Sequence, residues 1–286
     1  MKNIKYFFQF LFIFFLLLIF RIVGLKMARI LASKLFLIFG PLFRSKKIIE
    51  NNISVVFSQS DTEFKKRIMK SMWQGYGKIL AEYVFIKNFR NIKADKFLEI
   101  KGQEILDEIK ISKKPVIFIS GHFDNFELMA MHIERSGIDL AAIYRPLNNI
   151  FLNPLMENIR KKYICSKQIK KGISGTKEIL KHFNSGTSIA LMIDQRVTQG
   201  TRSLFFNKEA LTTTIPAQFV KKFKCKIIPI HIERKSNENF ILEVMKPLVF
   251  ENNQKTENIT LKLNQTLEKM ILKNPNQWIW SHNRWK

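Results

Sequence analysis

The segment Ser120-Gly121-His122-Phe123-Asp124-Asn125-Phe126-Glu127 places an imidazole, two carboxylates and an amide within one short stretch. It follows the apolar run Val116-Ile117-Phe118-Ile119, which reads as a buried strand, and precedes a helical pattern over 125–135. His122 would then stand at the carboxyl end of a strand, where open α/β sheets bind their ligands. Glu127, in the first turn of the helix, is spaced to fold back towards the ring. A carboxylate on one ring nitrogen fixes the tautomer and leaves the other nitrogen to take a proton from a substrate hydroxyl. The pattern therefore offers a general base, His122, with Glu127 as its orienter.

The same residues also fit blander roles, with Asp124 or Asn125 capping the helix and Glu127 favouring its dipole. A metal set of His122, Asp124 and Glu127 is a further reading, although His132, His182, His231 and His282 add no second ligand motif. No GxSxG elbow is present, and Ser120 has no flanking glycine of the required kind, which argues against a serine hydrolase. The dinucleotide and P-loop glycine fingerprints are absent too. Nothing in the chain asks for a cofactor.

Elements able to position this cluster can be read on either side of it. Short β-branched runs at 115–119, 140–144, 188–193, 226–230 and 240–244 alternate with helical periodicity at 151–162, 176–183, 214–223 and 256–272. That alternation predicts an α/β fold, a sheet with helices on its faces. Thr213 or Thr214 would cap the third of these helices, with Pro216 in its first turn. Residues 44–90 read as amphipathic helices covering one side of the core.

The N-terminus has another character. Tyr6 to Phe20 is apolar except for Gln9, and its phenylalanines leave no polar face. No small-x-small cleavage site follows, and a second apolar, basic stretch continues over 27–43, so a removed leader is not expected. Fifteen helical residues span only about 22 Å, whereas residues 6–25 reach the roughly 30 Å of a hydrocarbon core if Arg21 snorkels. Residues 1–26 are expected to be a transmembrane or interfacial anchor, and residues 27–286 one catalytic domain. Seven Lys and Arg between positions 21 and 47 outnumber Lys2 and Lys5, which would put that domain on the cytoplasmic side.

The whole chain of 286 residues has 48 Lys and Arg against 23 Asp and Glu, a formal charge of +25. Its partners should be anionic: nucleic acid, acidic lipid, phosphorylated substrate or an acidic carrier protein. Nucleic acid is favoured by charge alone, without a recognisable binding motif. Two cysteines, Cys165 and Cys225, lack CxxC spacing and suit a reduced compartment.

Several blocks in order carry a resemblance: GHFDNFE, then Tyr144-Arg145-Pro146, Asp194-Gln195, Leu204-Phe205-Phe206, Thr212-Thr213-Thr214-Ile215-Pro216 and the tryptophan-rich C-terminus from Trp278 to Lys286. Together with the apolar N-terminus they resemble the bacterial lipid A biosynthesis (lauroyl/myristoyl) late acyltransferases, of the His-x4-Asp/Glu glycerolipid acyltransferase group. The resemblance covers most of the chain. Asp124 stands where that family usually has glycine, and Phe126 where tryptophan is common. It implies a mixed sheet flanked by helices, with His122 as general base and Glu127 its partner. Arg145, Asn125 and the Asp194-Gln195 loop are implied to shape the substrate site. It further implies an acyl carrier protein or acyl-CoA donor, a lipid acceptor, and residence at the bacterial inner membrane. Another glycolipid or a glycerophospholipid acylated from acyl-CoA is the alternative within the same chemistry. The C-terminal tryptophans could sit at the bilayer interface or pack against the domain.

Overall fold

The computed structural model describes residues 2–91 and 96–286. Met1, the first residue of the expected anchor, lies outside them. Four helices lead: α1 (Lys2–Phe43), α2 (Lys46–Val56), α3 (Thr62–Tyr83) and α4 (Ile86–Arg90). Then come β1 (Leu98–Lys101), α5 (Gln103–Ser112), β2 (Ile117–Ser120), α6 (Glu127–Arg135), β3 (Leu140–Tyr144), α7 (Leu152–Tyr163), β4 (Lys167–Lys170), α8 (Ile173–Asn184) and β5 (Ser188–Met192). A hairpin of β6 (Thr201–Phe205) and β7 (Lys208–Thr212) precedes α9 (Ile215–Phe223), β8 (Ile227–Arg234), β9 (Phe240–Val244) and α10 (Thr256–Lys273).

The main sheet runs β1-β9-β8-β2-β5-β3-β4. All its neighbours pair parallel except β8 and β9. The α/β sheet flanked by helices expected from the alternating runs is thus present, and it is mixed. Strand β2 lies at its centre with every residue buried, as its unbroken apolar run requires. Thr214 precedes α9 without a side-chain cap bond, while Pro216 occupies the first turn.

Helix α1 breaks at Gly24, whose backbone (φ 79°, ψ 163°) is open to glycine at no steric cost. Beyond the break, Ala28, Ala32, Ser33 and Gly40 are buried on the side facing α3. Small residues let two backbones approach: a Cβ on Gly77 of α3 would lie 2.3 Å from the Ala32 carbonyl oxygen. Before the break, Tyr6, Phe10, Ile13 and Leu17 are half-buried, at helical spacing, and Phe20 is fully buried. Asn149 donates to the Tyr6 carbonyl oxygen at 2.8 Å, and the Phe151 ring packs on Phe7 and Phe10. Phe8, Phe12, Phe15 and Ile22 remain exposed. The first half of α1 therefore lies along the body with an apolar face turned outward.

A buried ionic cluster joins these parts. Arg234 at the end of β8 donates to Glu82 of α3 at 2.5 and 3.0 Å, and to Asp124 at 2.5 to 3.0 Å. Arg29 of α1 donates to the same Glu82 at 2.6 Å. Burial works against the charge on Glu82, but the two guanidiniums hold its carboxyl below the usual range. Removing one member would strand its partners in the interior.

Gly77→Ala is expected to lower stability by about 1–3 kcal/mol, because backbone stands in the way of the new methyl. Gly75→Ala, two residues along the same helix with nothing within 4 Å of its Cβ, is expected to be neutral or stabilising. Denaturant unfolding of the two variants checks the pair.

Candidate active site

The register of the sheet builds the site. Ser120 of β2 pairs with Met192 of β5, and the Ile193 amide extends the ladder to Ser120. Two residues beyond Ser120 stands His122; two beyond Met192 stands Asp194. Parallel pairing carries both to the same carboxyl edge, and His122 Nδ1 lies 2.8 Å from Asp194 Oδ1. The His122 backbone N–H and Trp278 Nε1–H donate to Asp194 Oδ2 at 2.7 and 2.9 Å. Gly121 leaves room for this, since a Cβ there would stand 3.2 Å from Asp194 Oδ2 and closer still to Leu267 and Phe123.

Burial alone would raise the Asp194 pKa, but His122 and the three donors outweigh it and hold the carboxyl at about 2. The carboxylate can only accept, so it requires the proton of the neutral ring on Nδ1 and leaves Nε2 with its lone pair. The ring packs edge-on against Phe126, centroids 4.7 Å apart. A base with a fixed tautomer results, set beside a cleft.

Asp194, rather than Glu127, thus holds the imidazole. Glu127 is buried and accepts from Tyr83 Oη, and from Arg160 Nε and Nη2 at 2.9 and 2.6 Å. Burial disfavours the Arg160 cation, but Glu127 beside it raises its pKa further. That guanidinium has left the solvated helix face on which Lys161 and Lys162 remain exposed. Asn125 was expected among the substrate contacts. It is 1 % exposed, gives its amide to Glu82 at 2.7 Å, and lines neither cleft described below. Asp124 is taken up by Arg234, so the side chains of the metal reading have separate partners. Neither Asp124 nor Asn125 caps α6, which begins after Phe126 with no side-chain bond at its start.

His122 lies between two clefts. One, of about 470 Å³, is lined among others by Glu127, Arg145, Arg160, Lys171, Gln195 and His282. Arg145 and Gln195 thus line the cleft beside His122. Desolvation lowers the Lys171 pKa and nearby Arg145 lowers it further, as two cations sharing a site require. Leu147 and Asn148 form part of the rim, next to Asn149 and Phe151, which hold the first half of α1. The other cleft, about 260 Å³, is lined by Tyr76, Lys78, Lys235, Asn276 and others.

The C-terminal segment packs against the domain. Trp278 and Trp280 are 2 % and 0 % exposed, which removes them from a bilayer interface. Phe123 bridges to Trp278, and the Asp124 amide donates to the Gln277 carbonyl, so this segment clamps the His122 loop. Asn52 of α2 donates to the carbonyls of Trp280 and His282 at 2.7 and 2.6 Å. Three contributors escaped the sequence: Trp278 and Arg160 as holders of the two carboxylates, and His282 as part of the cleft wall. Only the position of His282 beside the tryptophans offered a signal.

An imidazole–carboxylate pair beside a cationic cleft at the carboxyl edge of an α/β sheet is an arrangement suited to general-base chemistry. The family described as bacterial lipid A biosynthesis acyltransferase matches residues 1–286. The chain is 23 % identical over 251 residues to the lipid A biosynthesis lauroyltransferase of Escherichia coli K12, covering 85 % of this chain and 79 % of that one. It is 22 % identical, over the same length and shares, to the lipid A biosynthesis palmitoleoyltransferase of that strain. To a lipid A biosynthesis acyltransferase of Haemophilus influenzae it is 23 % identical over 260 residues, 87 % and 82 % of the two chains. The chain belongs to the bacterial lipid A biosynthesis acyltransferase family and is an O-acyltransferase.

Asp194→Asn tests the pair. The His122 and Trp278 N–H groups demand an oxygen at the Oδ2 position, so the new amide nitrogen faces Nδ1 and donates to it. The proton moves to Nε2. Acyl transfer is expected to fall about 10³–10⁴-fold with the fold retained, measured as turnover of an acyl thioester.

Proposed function

We propose that the protein transfers a fatty acyl chain from the thioester of an acyl carrier protein to a hydroxyl of a lipid A precursor, at the cytoplasmic face of the bacterial inner membrane. The observation that carries this reading is the His122–Asp194 pair at the edge of a cleft lined by Arg145 and Lys171. His122 Nε2 takes the proton of the acceptor hydroxyl as its oxygen attacks the thioester carbonyl. The tetrahedral oxyanion collapses, the C–S bond breaks, and the thiolate leaves with the proton returned from His122. General base catalysis contributes about 10²–10⁴-fold, and positioning must supply much of the rest. Glu127 acts here through Arg160, holding that guanidinium in the cleft wall, while Arg145 and Lys171 meet anionic groups of the acceptor.

Attachment to the membrane is assigned to residues 2–23. Their outward face of Phe8, Phe12, Phe15 and Ile22 suits an acyl-chain layer, and the stripe against the body supports a helix lying in the interface over one that spans. Residues 25–286 then form the catalytic unit. Leu147, at the rim of the cleft and exposed, opens the site towards the same layer. A carrier protein as donor is supported by the +25 charge, which would steer an acidic partner.

His122→Ala is expected to abolish acyl transfer while the protein stays folded and membrane-bound. Mass spectrometry of lipid A from cells with and without the gene is expected to differ by one acyl chain. An unchanged lipid A with altered glycerophospholipids would point to the other acceptor. Deleting residues 2–23 is expected to release the protein from sedimenting membranes; undiminished sedimentation would move the attachment elsewhere.

A further inference from the structure

The loop after β5 fixes the protons of two imidazoles, and it does so in opposite senses. Asp194 accepts from His122 Nδ1 and so frees Nε2 as a base. Two residues on, the Arg196 backbone N–H donates to His282 Nε2 at 3.0 Å. A backbone amide can only donate, so Nε2 of His282 carries the lone pair and its proton sits on Nδ1. Among the described residues that Nδ1–H has no hydrogen-bond partner, and the ring lines the same cleft as His122. Its backbone is pinned by Asn52, a buried amide that donates to the His282 carbonyl oxygen at 2.6 Å. The ring is therefore held at Nε2 and the backbone at its carbonyl, with one ring donor to spare.

We infer that His282 is the oxyanion donor of the acyl transfer, its Nδ1–H binding the thioester carbonyl oxygen as negative charge develops there. This rests on the reading of His122 as the base of an acyl transfer. Its environment suits the task. Burial lowers the His282 pKa to about 4; Asp194 opposes the change, and His122 and Arg284 add to it. Arg284, two residues along, is fully buried and hydrogen-bonded to the neutral Leu211 carbonyl and Thr212 hydroxyl. Burial, with this cation adding to it, keeps the His282 ring uncharged near neutral pH. A neutral imidazole donates a hydrogen bond without surrendering its proton, so it stabilises the oxyanion and leaves proton transfer to His122.

Two substitutions separate this role from a structural one. In His282→Gln the side-chain oxygen can replace Nε2 as acceptor for the Arg196 amide, while nothing donates from the position of Nδ1. In His282→Asn the amide nitrogen can replace Nδ1, and the acceptor for Arg196 is lost. Steady-state kinetics on the full chain in detergent, with an acyl carrier thioester and a lipid A precursor, reads the result. H282Q is expected to lose about 10²–10³-fold in kcat with KM little changed. H282N is expected to stay within about tenfold of the wild type, less than 1.4 kcal/mol of barrier. H282Q at wild-type kcat, equal losses in both variants, or a loss confined to KM would overturn the inference and leave the acyl-transfer reading standing. A wild-type protein that transfers no acyl chain would sink the reading, and this inference with it.

Discussion

One buried carboxylate governs the site. Asp194 is 1 % exposed and receives three N–H groups: the backbone and the ring of His122, and the indole of Trp278. Charge in the interior is tolerated only where hydrogen bonds replace the lost water, and these three do so. The same bonds fix what the imidazole can do. They also tie together three remote parts of the chain, the loop after β2, the loop after β5 and the C-terminal segment. The last of these is held by Asn52 of α2 and, through Ser281, by Tyr76 of α3. The leading helices thus support the active edge of the sheet although they contribute nothing to its strands.

A second set of buried charges relates the second half of α1 to that edge. Arg29 follows the break in α1, Glu82 lies on α3, and Asp124 sits two residues past His122. Arg234 joins the last two. Asp124 adopts a left-handed backbone (φ 33°), which Asp tolerates better than most side chains. Its carboxylate is engaged by Arg234, and its Oδ1 also accepts from the Asn125 backbone amide at 2.7 Å. The loop bearing His122 is thereby fixed to the helices that carry the apolar N-terminus.

The sequence revealed what is local and missed what depends on register. The strands at 140–144 and 240–244 have the predicted bounds and the last long helix starts at Thr256 as expected, because apolar runs and periodicity are properties of neighbouring residues. The helices over 44–90 were legible for the same reason. Strands β1, β4, β6 and β7 were not. Each is short and carries charged residues among few apolar ones. His122 was legible from its place after a buried strand. Its partner was assigned by proximity in sequence to Glu127, whereas parallel pairing of β2 with β5 brings Asp194 across 72 positions. Glu127 faces Arg160 for a comparable reason: α7 packs where no local pattern announces it. The two readings of Trp278, interface or domain packing, stayed open because tryptophan type alone cannot tell burial in protein from burial in lipid.

The central claim is the proton on His122 Nδ1, and ¹⁵N NMR of the full chain labelled at histidine observes it most directly. In the neutral ring, the account predicts a protonated Nδ1 coupled to its hydrogen and a bare Nε2. A neutral His122 carrying its proton on Nε2 would contradict it, since Asp194 could not then be accepting from the ring and the base would point the wrong way.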